Sequence, residues 1–168
     1  MAISQFNLDN GQRAERKLLI TVAEWTEGSS QVREVLGTRT EDSSIEYNAD
    51  ISTTTDILGN NYTDINRTQP QQDFDPYLVL GGSKLGAKLN DIRKRNALSE
   101  LNSFTMYIIT AFVGAAGAYE AEKHEDCTIT YNSFGGDSNV NFPISVYFSN
   151  KITNGTVDKL ADDFTFTA

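Results

Sequence analysis

Residues 45–76 read IEYNADISTTTDILGNNYTDINRTQPQQDFDP, and this stretch decides how the rest of the chain is organised. Its first half alternates polar with apolar residues, the apolar ones being Ile45, Tyr47, Ala49 and Ile51. That alternation is the period of a half-buried strand. The run LGNN at 58–61 favours a chain reversal, because Gly and Asn tolerate positive φ. The segment 62–67 then returns as a second extended strand, so the sequence predicts a long polar hairpin.

This ribbon has little apolar surface to bury by itself. A two-stranded ribbon is marginally stable in water unless it has a partner. Its exposed edges offer unpaired backbone groups to another chain, so a long polar ribbon is either a liability or an assembly device. We interpret it as an assembly device that ends at Pro76, where the missing N–H and fixed φ interrupt the strand.

The remaining chain contains several further strand patterns and one helical pattern. Strands are predicted at Lys17–Thr26, Val32–Leu36, Phe104–Val113, Cys127–Tyr131, Phe142–Phe148 and Phe164–Phe166. Pro143 suggests an edge position or the start of its strand. The dipeptide Asn154–Gly155 predicts a hairpin turn. Together these signals indicate a mainly β, sandwich-like or barrel-like domain with one flanking helix.

The predicted helix covers Lys84–Leu101 and has Ser83 as its N-cap. Leu85, Leu89 and Ile92 keep helical spacing on one face. Five basic residues crowd this segment: Lys84, Lys88, Arg93, Lys94 and Arg95. Three interpretations stay open, namely a solvated helix face, a surface for nucleic acid or an acidic partner, and a contact with an acidic neighbouring subunit.

Length and composition narrow the classes of protein. A chain of 168 residues supports one domain, here 1–168, with residues 1–16 as a polar terminal arm. The net charge of −9 argues against tight nucleic-acid binding, which depends on Lys and Arg neutralising phosphates. We see no signal segment and no membrane-length apolar run, so a soluble protein made in a cytoplasm is expected. A single cysteine, Cys127, excludes an internal disulfide.

Candidate catalytic and metal-binding groups are sparse. The run His124–Cys127, HEDC, holds ligand-type residues without a second pair, so we interpret it as an acidic turn entering a strand. Asp73 and Asp75 flank Phe74 before a proline, where turn capping is the commoner role. The segment GGSK at 81–84 lacks phosphate-loop spacing. We therefore predict no enzymatic activity, no cofactor and no metal.

The run NADISTTTDILGNNYTDINRTQPQQDFDPY, with TRTEDSSIEYN before it and LGGSKL after it, resembles the major tail tube proteins of long-tailed bacteriophages. The resemblance extends from the WTEG segment at 25–28 to the chain end and is most specific between Thr38 and Tyr77. It implies a tail-tube sandwich that forms hexameric rings, which stack into a virion tube whose inner strands join around a channel for DNA. The implied partners are other copies of the chain, further tail proteins and passing double-stranded DNA that is not bound specifically; no membrane is implied.

Two sets of site residues follow as hypotheses. The polar face predicted to line the channel comprises Glu46, Asn48, Asp50 and Ser52, with the two carboxylates keeping DNA from adhering. The predicted subunit contacts are Thr53, Thr55, Tyr62, Asp64, Arg67, Lys84, Lys88, Arg93 and Arg95.

Two alternatives remain. One is the tube of a DNA-free contractile bacteriocin particle. The other, from a different class, is a monomeric β-sandwich that binds a sugar or peptide through exposed aromatics such as Trp25, Tyr62 or Tyr77.

Overall fold

The computed structural model describes residues 5–168. Its strands are β1 Leu19–Glu27, β2 Ser30–Val35, β3 Ile45–Glu46, β4 Asp50–Thr55, β5 Asn61–Arg67, β6 Gln71–Phe74, β7 Phe104–Ala115, β8 Ala118–Tyr131, β9 Ile144–Tyr147, β10 Ile152–Val157 and β11 Phe166–Thr167. Helix α1 is Lys84–Arg95, and 3-10 turns lie at Arg16–Leu18 and Leu98–Asn102. Residues 1–4 of the predicted arm lie outside the described residues.

Nine strands form one antiparallel sheet that folds over at β8 into two layers. The order is β2-β1-β7-β8-β9-β6-β3, with β10 also on β8 and β11 on β10. The first part of β8 pairs with β7 and β10, and its last part, from Thr128 to Tyr131, pairs with β9. The change of partner follows Asp126, whose φ of 56° bends the strand. The predicted mainly β, sandwich-like architecture is confirmed.

Two apolar clusters hold the layers together. The larger one joins β1, β6, β7, β8 and β9 to helix α1, and includes Trp25, Phe74, Ile129 and Ile144. The smaller one lies on the opposite face of β1 and β7 and is covered by Phe164. Both faces of β1 are therefore buried, as the continuous apolar pattern of its sequence predicts. A buried hydrogen bond from the Thr21 hydroxyl to Gln72 Oε1, at 2.8 Å, joins β1 to β6 across the layers.

Helix α1 is shorter than its sequence pattern indicates. Ser83 is its N-cap as predicted, with the hydroxyl accepting a hydrogen bond from the Gly86 amide at 3.2 Å. The helix ends at Arg95 and not at Leu101, because Asn96 adopts a left-handed conformation with φ 53° that terminates the hydrogen-bond ladder. Among the described residues, no helix is long and apolar enough to cross a membrane.

The predicted continuous ribbon from Ile45 to Pro76 is divided in three. Its ends, β3 and β6, pair with each other and belong to the large sheet, whereas β4 and β5 form a separate two-stranded sheet. The predicted half-buried strand over Ile45–Ser52 is wrong, because Asn48 takes φ 46° and breaks the alternation. Tyr47 and Ile51 are consequently exposed.

Two turn predictions are also wrong. Asn154 and Gly155 do not form a hairpin turn; they lie within β10, opposite Glu122 and Ala121. The segment His124–Cys127 is not a turn either and runs inside β8, with Asp126 as its bulge. Pro143 directly precedes β9, a strand paired on both sides, so it marks a strand start and not an edge.

Gly155 is required by the close approach of β11 and not by a turn. A Cβ at this position would overlap the Thr167 carbonyl oxygen and lie 2.7 Å from the Phe166 ring. We expect Gly155→Ala to displace β11 and lower the free energy of unfolding by about 1–3 kcal/mol, the usual cost of overpacking. Chemical denaturation measures this loss.

Gly135 provides the matched control, because a Cβ there meets no atom within 4 Å. Gly135→Ala should leave the denaturation midpoint nearly unchanged. Equal midpoints for the two variants would show that β11 does not pack on Gly155.

Candidate assembly site on a detached hairpin

The detached hairpin, which comprises β4, β5 and the loop between them, is the least embedded part of the described structure. Its strands pair from Asp50 opposite Arg67 to Thr55 opposite Asn61, with a bulge next to Asp50. Among the described residues, every hydrogen bond and ion pair shown for residues 50–67 stays within the hairpin. Apart from Ser52 and Asp56, all of these residues are exposed.

The register divides the hairpin into two faces, since residues opposite each other in an antiparallel pair point the same way. One face, here the isoleucine face, carries Ile51, Thr53, Thr55, Asn61, Thr63 and Ile65. The other face carries Ser52, Thr54, Tyr62 and Asp64. Hydroxyls on the isoleucine face bond across the strands, Thr53 to Thr63 at 3.4 Å and Thr55 to Asn61 Oδ1 at 2.7 Å. Polar pairs of this kind hold the hairpin in register without any core.

Large apolar side chains stand in solvent along this hairpin. Ile51 is 56% exposed and its partner Ile65 is 67% exposed. At the tip, Ile57 is fully exposed and Leu58 is 81% exposed. Single exposed apolar residues are ordinary, but four on one detached element mark a surface for association. The tip was not predicted from the sequence, although Ile57 and Leu58 are adjacent apolar residues at the start of the predicted turn.

The tip is held in shape by one carboxylate. Asp56 Oδ1 accepts hydrogen bonds from the amides of Leu58 and Asn60 at 2.8 and 2.9 Å. Its Oδ2 accepts from the Asn60 side chain at 2.9 Å and from the Tyr62 hydroxyl at 3.1 Å. These donors lower the pKa of Asp56 below its ordinary value, and the hydrogen bond from the Asn60 side chain has the largest effect. Ile57 and Leu58 are therefore presented on an ordered loop.

The predicted channel-lining residues do not share one continuous strand. Glu46 lies in β3, opposite Gln71. Asn48 lies in the break before the hairpin, where its side-chain amide donates to the Gln69 carbonyl at 3.1 Å. Asp50 and Ser52 lie two residues apart on β4, so both are on the face of the hairpin opposite to Ile51. That these four side chains line a channel stays a prediction.

The predicted subunit contacts on the hairpin fall on both of its faces. Thr53 and Thr55 belong to the isoleucine face, and Tyr62 and Asp64 belong to the other. Arg67 lies at the base, with its Nε 3.8 Å from Asp50 Oδ2. One neighbouring subunit could therefore not contact all of them through a single flat surface.

The basic residues of α1 are mostly paired within the chain. Lys88 and Arg95 share Glu100, each at 2.9 Å, and Lys84 lies 2.9 Å from Asp162. Hydrogen bonds from Arg95 and Lys88 lower the pKa of Glu100 to about 2. Arg93 donates to Asn90 Oδ1 at 2.8 Å and stacks on the Phe134 ring at 4.5 Å. The predicted subunit contacts Lys84, Lys88, Arg93 and Arg95 thus have internal partners, and an external role for them stays a prediction.

The groups first considered for catalysis have structural contacts. His124 is buried, with Nε2 3.1 Å from Glu122 and Nδ1 3.2 Å from the Ser149 carbonyl. Cys127 is fully buried, which raises the pKa of its thiol. Within residues 5–168, no cluster of His, Cys, Asp and Glu could hold a metal ion.

The two aspartates flanking Phe74 also act locally. Asp73 accepts from the Gln71 side chain at 3.0 Å, and Asp75 accepts from the Asn141 side chain at 3.0 Å. Phe74 between them is buried in the larger core cluster. The two carboxylates therefore point to separate structural donors and do not form a pair.

No family model matches this sequence, and no curated protein matches it. Among solved structures, the chain is similar to the anti-feeding prophage cap, described as the tube terminating cap (TM-score 0.48, 16% identity, covering 86% of this chain and 92% of that one). It is also similar to the sheath/tube terminator of an extracellular contractile injection system in the extended state (TM-score 0.49, 12% identity, 85% and 96%). A third similar chain is from the sheath-tube complex of such a system (TM-score 0.46, 14% identity, 86% and 93%).

The order of the tip is expected to depend on Asp56. In Asp56→Ala, the amides of Leu58 and Asn60 lose their acceptor, so their hydrogen exchange should accelerate by about tenfold. Because the pKa of Asp56 is lowered in the folded state, its loop bonds are present above the ordinary aspartate pKa. They are lost as pH falls through the lowered value, and an NMR titration of the carboxyl group measures that midpoint.

Asp64→Ala is the control, because the Asp64 carboxylate accepts no hydrogen bond from any described residue. It should leave exchange at the tip unchanged. An Asp56 midpoint at or above the ordinary aspartate value would contradict the loop geometry.

Proposed function

We propose that this chain is a structural, non-catalytic protein that self-assembles into the tube of a phage-type tail. Copies form hexameric rings, the rings stack, and the tube belongs to a virion and conducts double-stranded DNA during ejection. The observation that carries the proposal is the detached hairpin, which exposes Ile51, Ile65 and its apolar tip and pairs with nothing in its own subunit among the described residues. The ring symmetry and the DNA cargo come from the resemblance of residues 38–77 to tail tube proteins.

The energetics favour association through the hairpin. Burying a fully exposed isoleucine side chain contributes about 1.5–3 kcal/mol, and Ile51 and Ile65, which are 56% and 67% exposed, can gain roughly half to two thirds of that. A difference of about 1.4 kcal/mol changes an equilibrium about tenfold. Ile51 and Ile65 lie directly opposite each other, so a single contact would bury both. In a closed ring the same contact repeats in every subunit, which multiplies the gain without leaving an open end. A weak contact in one pair therefore supports a stable assembly.

The negative net charge of the chain suits a channel through which DNA passes. With a net charge of −9, the protein repels the phosphate backbone and does not bind it tightly. Glu46 and Asp50, both exposed, are the carboxylates that we place toward the channel with Asn48 and Ser52. Their role is to let DNA pass without adhesion.

The first test is concentration-dependent assembly. Sedimentation velocity and electron microscopy of the purified chain at rising concentration should show rings or tubes. Ile65→Asp should raise the concentration needed for half-assembly by about ten- to a hundredfold, since it places a charge in a contact that buries an isoleucine. Ile65 is 67% exposed, so the melting temperature of the subunit should not change.

Ile65→Val is the matched control, because it keeps an apolar, β-branched side chain at the same position. This variant should assemble nearly as the parent chain does. Assembly of Ile65→Asp at the parent concentration would remove the hairpin from the interface. A chain that stays a monomer at every concentration would favour a binding module instead.

The second test concerns the channel. Glu46→Lys combined with Asp50→Lys should leave particles assembled but slow DNA release at low ionic strength, with the rate recovering as salt screens phosphate contacts. Release can be followed with a DNA-binding dye in the external medium.

The neutral double variant, Glu46→Gln with Asp50→Asn, separates charge from shape and should release DNA nearly as the parent does. Failure of the lysine variant to assemble would place these residues at a subunit contact. Particles that contain no DNA would indicate the tube of a bacteriocin-type particle.

A further inference from the structure

Two Asn–Gly pairs occur in this sequence, Asn10–Gly11 and Asn154–Gly155. Asparagine is thermolabile, and a following glycine favours its ring closure because glycine has no Cβ to hinder its backbone nitrogen. In both pairs the asparagine side chain is exposed. The two pairs therefore differ mainly in their backbone environment, which the fold sets.

The first pair forms the centre of an exposed turn. The Gln12 amide donates to the Asp9 carbonyl at 2.9 Å, and the Asp9 amide donates to Gln12 Oε1 at 2.9 Å. Neither the Gly11 amide nor the Asn10 side chain bonds to any described residue. Gly11 has φ 82°, as the third residue of a type II turn requires, and a Cβ built on it would meet no atom within 4 Å. The Gly11 nitrogen is therefore free of both hydrogen bonds and steric cover among the described residues.

The peptide unit between Asn10 and Gly11 can rotate at little cost. Types I and II of a β-turn differ mainly in the orientation of this central peptide unit and share the same terminal hydrogen bond. Rotation about the Cα–C bond of Asn10 brings the Gly11 nitrogen towards the Asn10 Cγ, as closure of a five-membered ring requires. The two bonds between Asp9 and Gln12 need not break, so the turn allows the reactive geometry.

The second pair, Asn154–Gly155, is held within a sheet. Both residues lie in β10, opposite Glu122 and Ala121 of β8. Strand residues have ψ of about 135°, which keeps the following backbone nitrogen away from the side-chain Cγ. Rotation would displace the strand, and the Thr167 carbonyl oxygen of β11 crowds Gly155 as well. The same dipeptide is therefore protected until β10 opens.

We propose that Asn10 is a site of spontaneous deamidation and that Asn154 is protected in the folded chain. The Gly11 nitrogen attacks the Asn10 Cγ, the Cγ–Nδ2 bond breaks, and ammonia leaves with the proton that the Gly11 amide gives up. This step closes a succinimide ring, which water then opens at either carbonyl. One product has aspartate at position 10, and the other has isoaspartate, whose backbone passes through the side chain. Neither step needs an enzyme, a cofactor or an oxidant.

The product changes the terminal arm that precedes β1. Either form adds one negative charge beside Asp9 to a chain whose net charge is already −9. Isoaspartate also inserts a methylene into the backbone, shortly after the point where the Asn7 amide donates to the Phe112 carbonyl at 2.7 Å. The connection between this contact on β7 and the start of β1 is thereby lengthened. This inference does not rest on the proposed self-assembly.

Peptide mapping by mass spectrometry of the dilute full-length chain, aged at neutral pH, tests the proposal. The mass gain of replacing the amide NH2 by OH should accumulate at Asn10 at least about tenfold faster than at Asn154, because the strand must first open. In concentrated guanidinium, which unfolds the chain, the two rates should become similar. Asn10→Gln is the matched control. Its longer side chain would have to close a six-membered ring, so the mass gain in the peptide around position 10 should disappear.

Each outcome decides the proposal. Similar rates at Asn10 and Asn154 in the folded chain would overturn the protection by β10. No reaction at Asn10 during a period in which the unfolded chain reacts would overturn the site, as would a mass gain that persists in Asn10→Gln. Chromatography should resolve both aspartate and isoaspartate forms of the peptide, and aspartate alone would contradict the ring intermediate. All of these results are independent of ring assembly, so their failure would leave the proposed function intact.

Discussion

Strand β8 is the constraint on which the rest of the structure depends. Its first part pairs with β7 and β10, and its last four residues pair with β9. One strand therefore belongs to both layers, and the bulge at Asp126 turns it from one to the other. Because β9 in turn pairs with β6, and β6 with β3, this strand also fixes the root from which the hairpin projects.

The hairpin projects because nothing in its composition lets it join the core. Its strands are mostly Thr, Asn, Ser and Asp, and its few large apolar residues are divided between one face and the tip. At the root, the Gln69 amide donates to the Tyr47 carbonyl at 2.8 Å and Asn48 bonds to Gln69, which joins the two chain segments before they separate. At the opposite end of the hairpin, Asp56 orders the loop by accepting hydrogen bonds from the amides of Leu58 and Asn60. The element is thus ordered at both ends and unpartnered along its length.

The body of the protein, by contrast, pairs most of its buried polar groups internally, although Arg93 Nε is buried without a hydrogen-bond partner among the described residues. Buried Glu24 pairs with Arg33, which also donates to the Phe164 carbonyl and stacks on the Phe164 ring at 4.2 Å. Glu34 accepts from the amides of Lys84 and Leu85 and so caps helix α1 from a neighbouring strand. Large apolar side chains are also exposed, both on the hairpin and on the body at Val79, Leu80, Phe134 and Val140.

The sequence by itself determined the class of fold, strands β1, β2, β7 and β9, the last part of β8, the N-cap at Ser83 and the existence of the hairpin. Each of these depends on local periodicity or on one residue's conformational preference, which neighbours in sequence suffice to show. Only the tertiary structure decided that the ribbon divides at Asn48, that α1 ends at Asn96 and that Asn154–Gly155 lies inside a strand. Packing decides these positions: β11 lies against Gly155, and pairing of β3 with β6 outweighs a continuous alternation. The grouping of the exposed residues Val79, Phe134 and Val140 could not be predicted from the sequence either. These residues belong to segments about 60 residues apart that meet only through long-range backbone pairing.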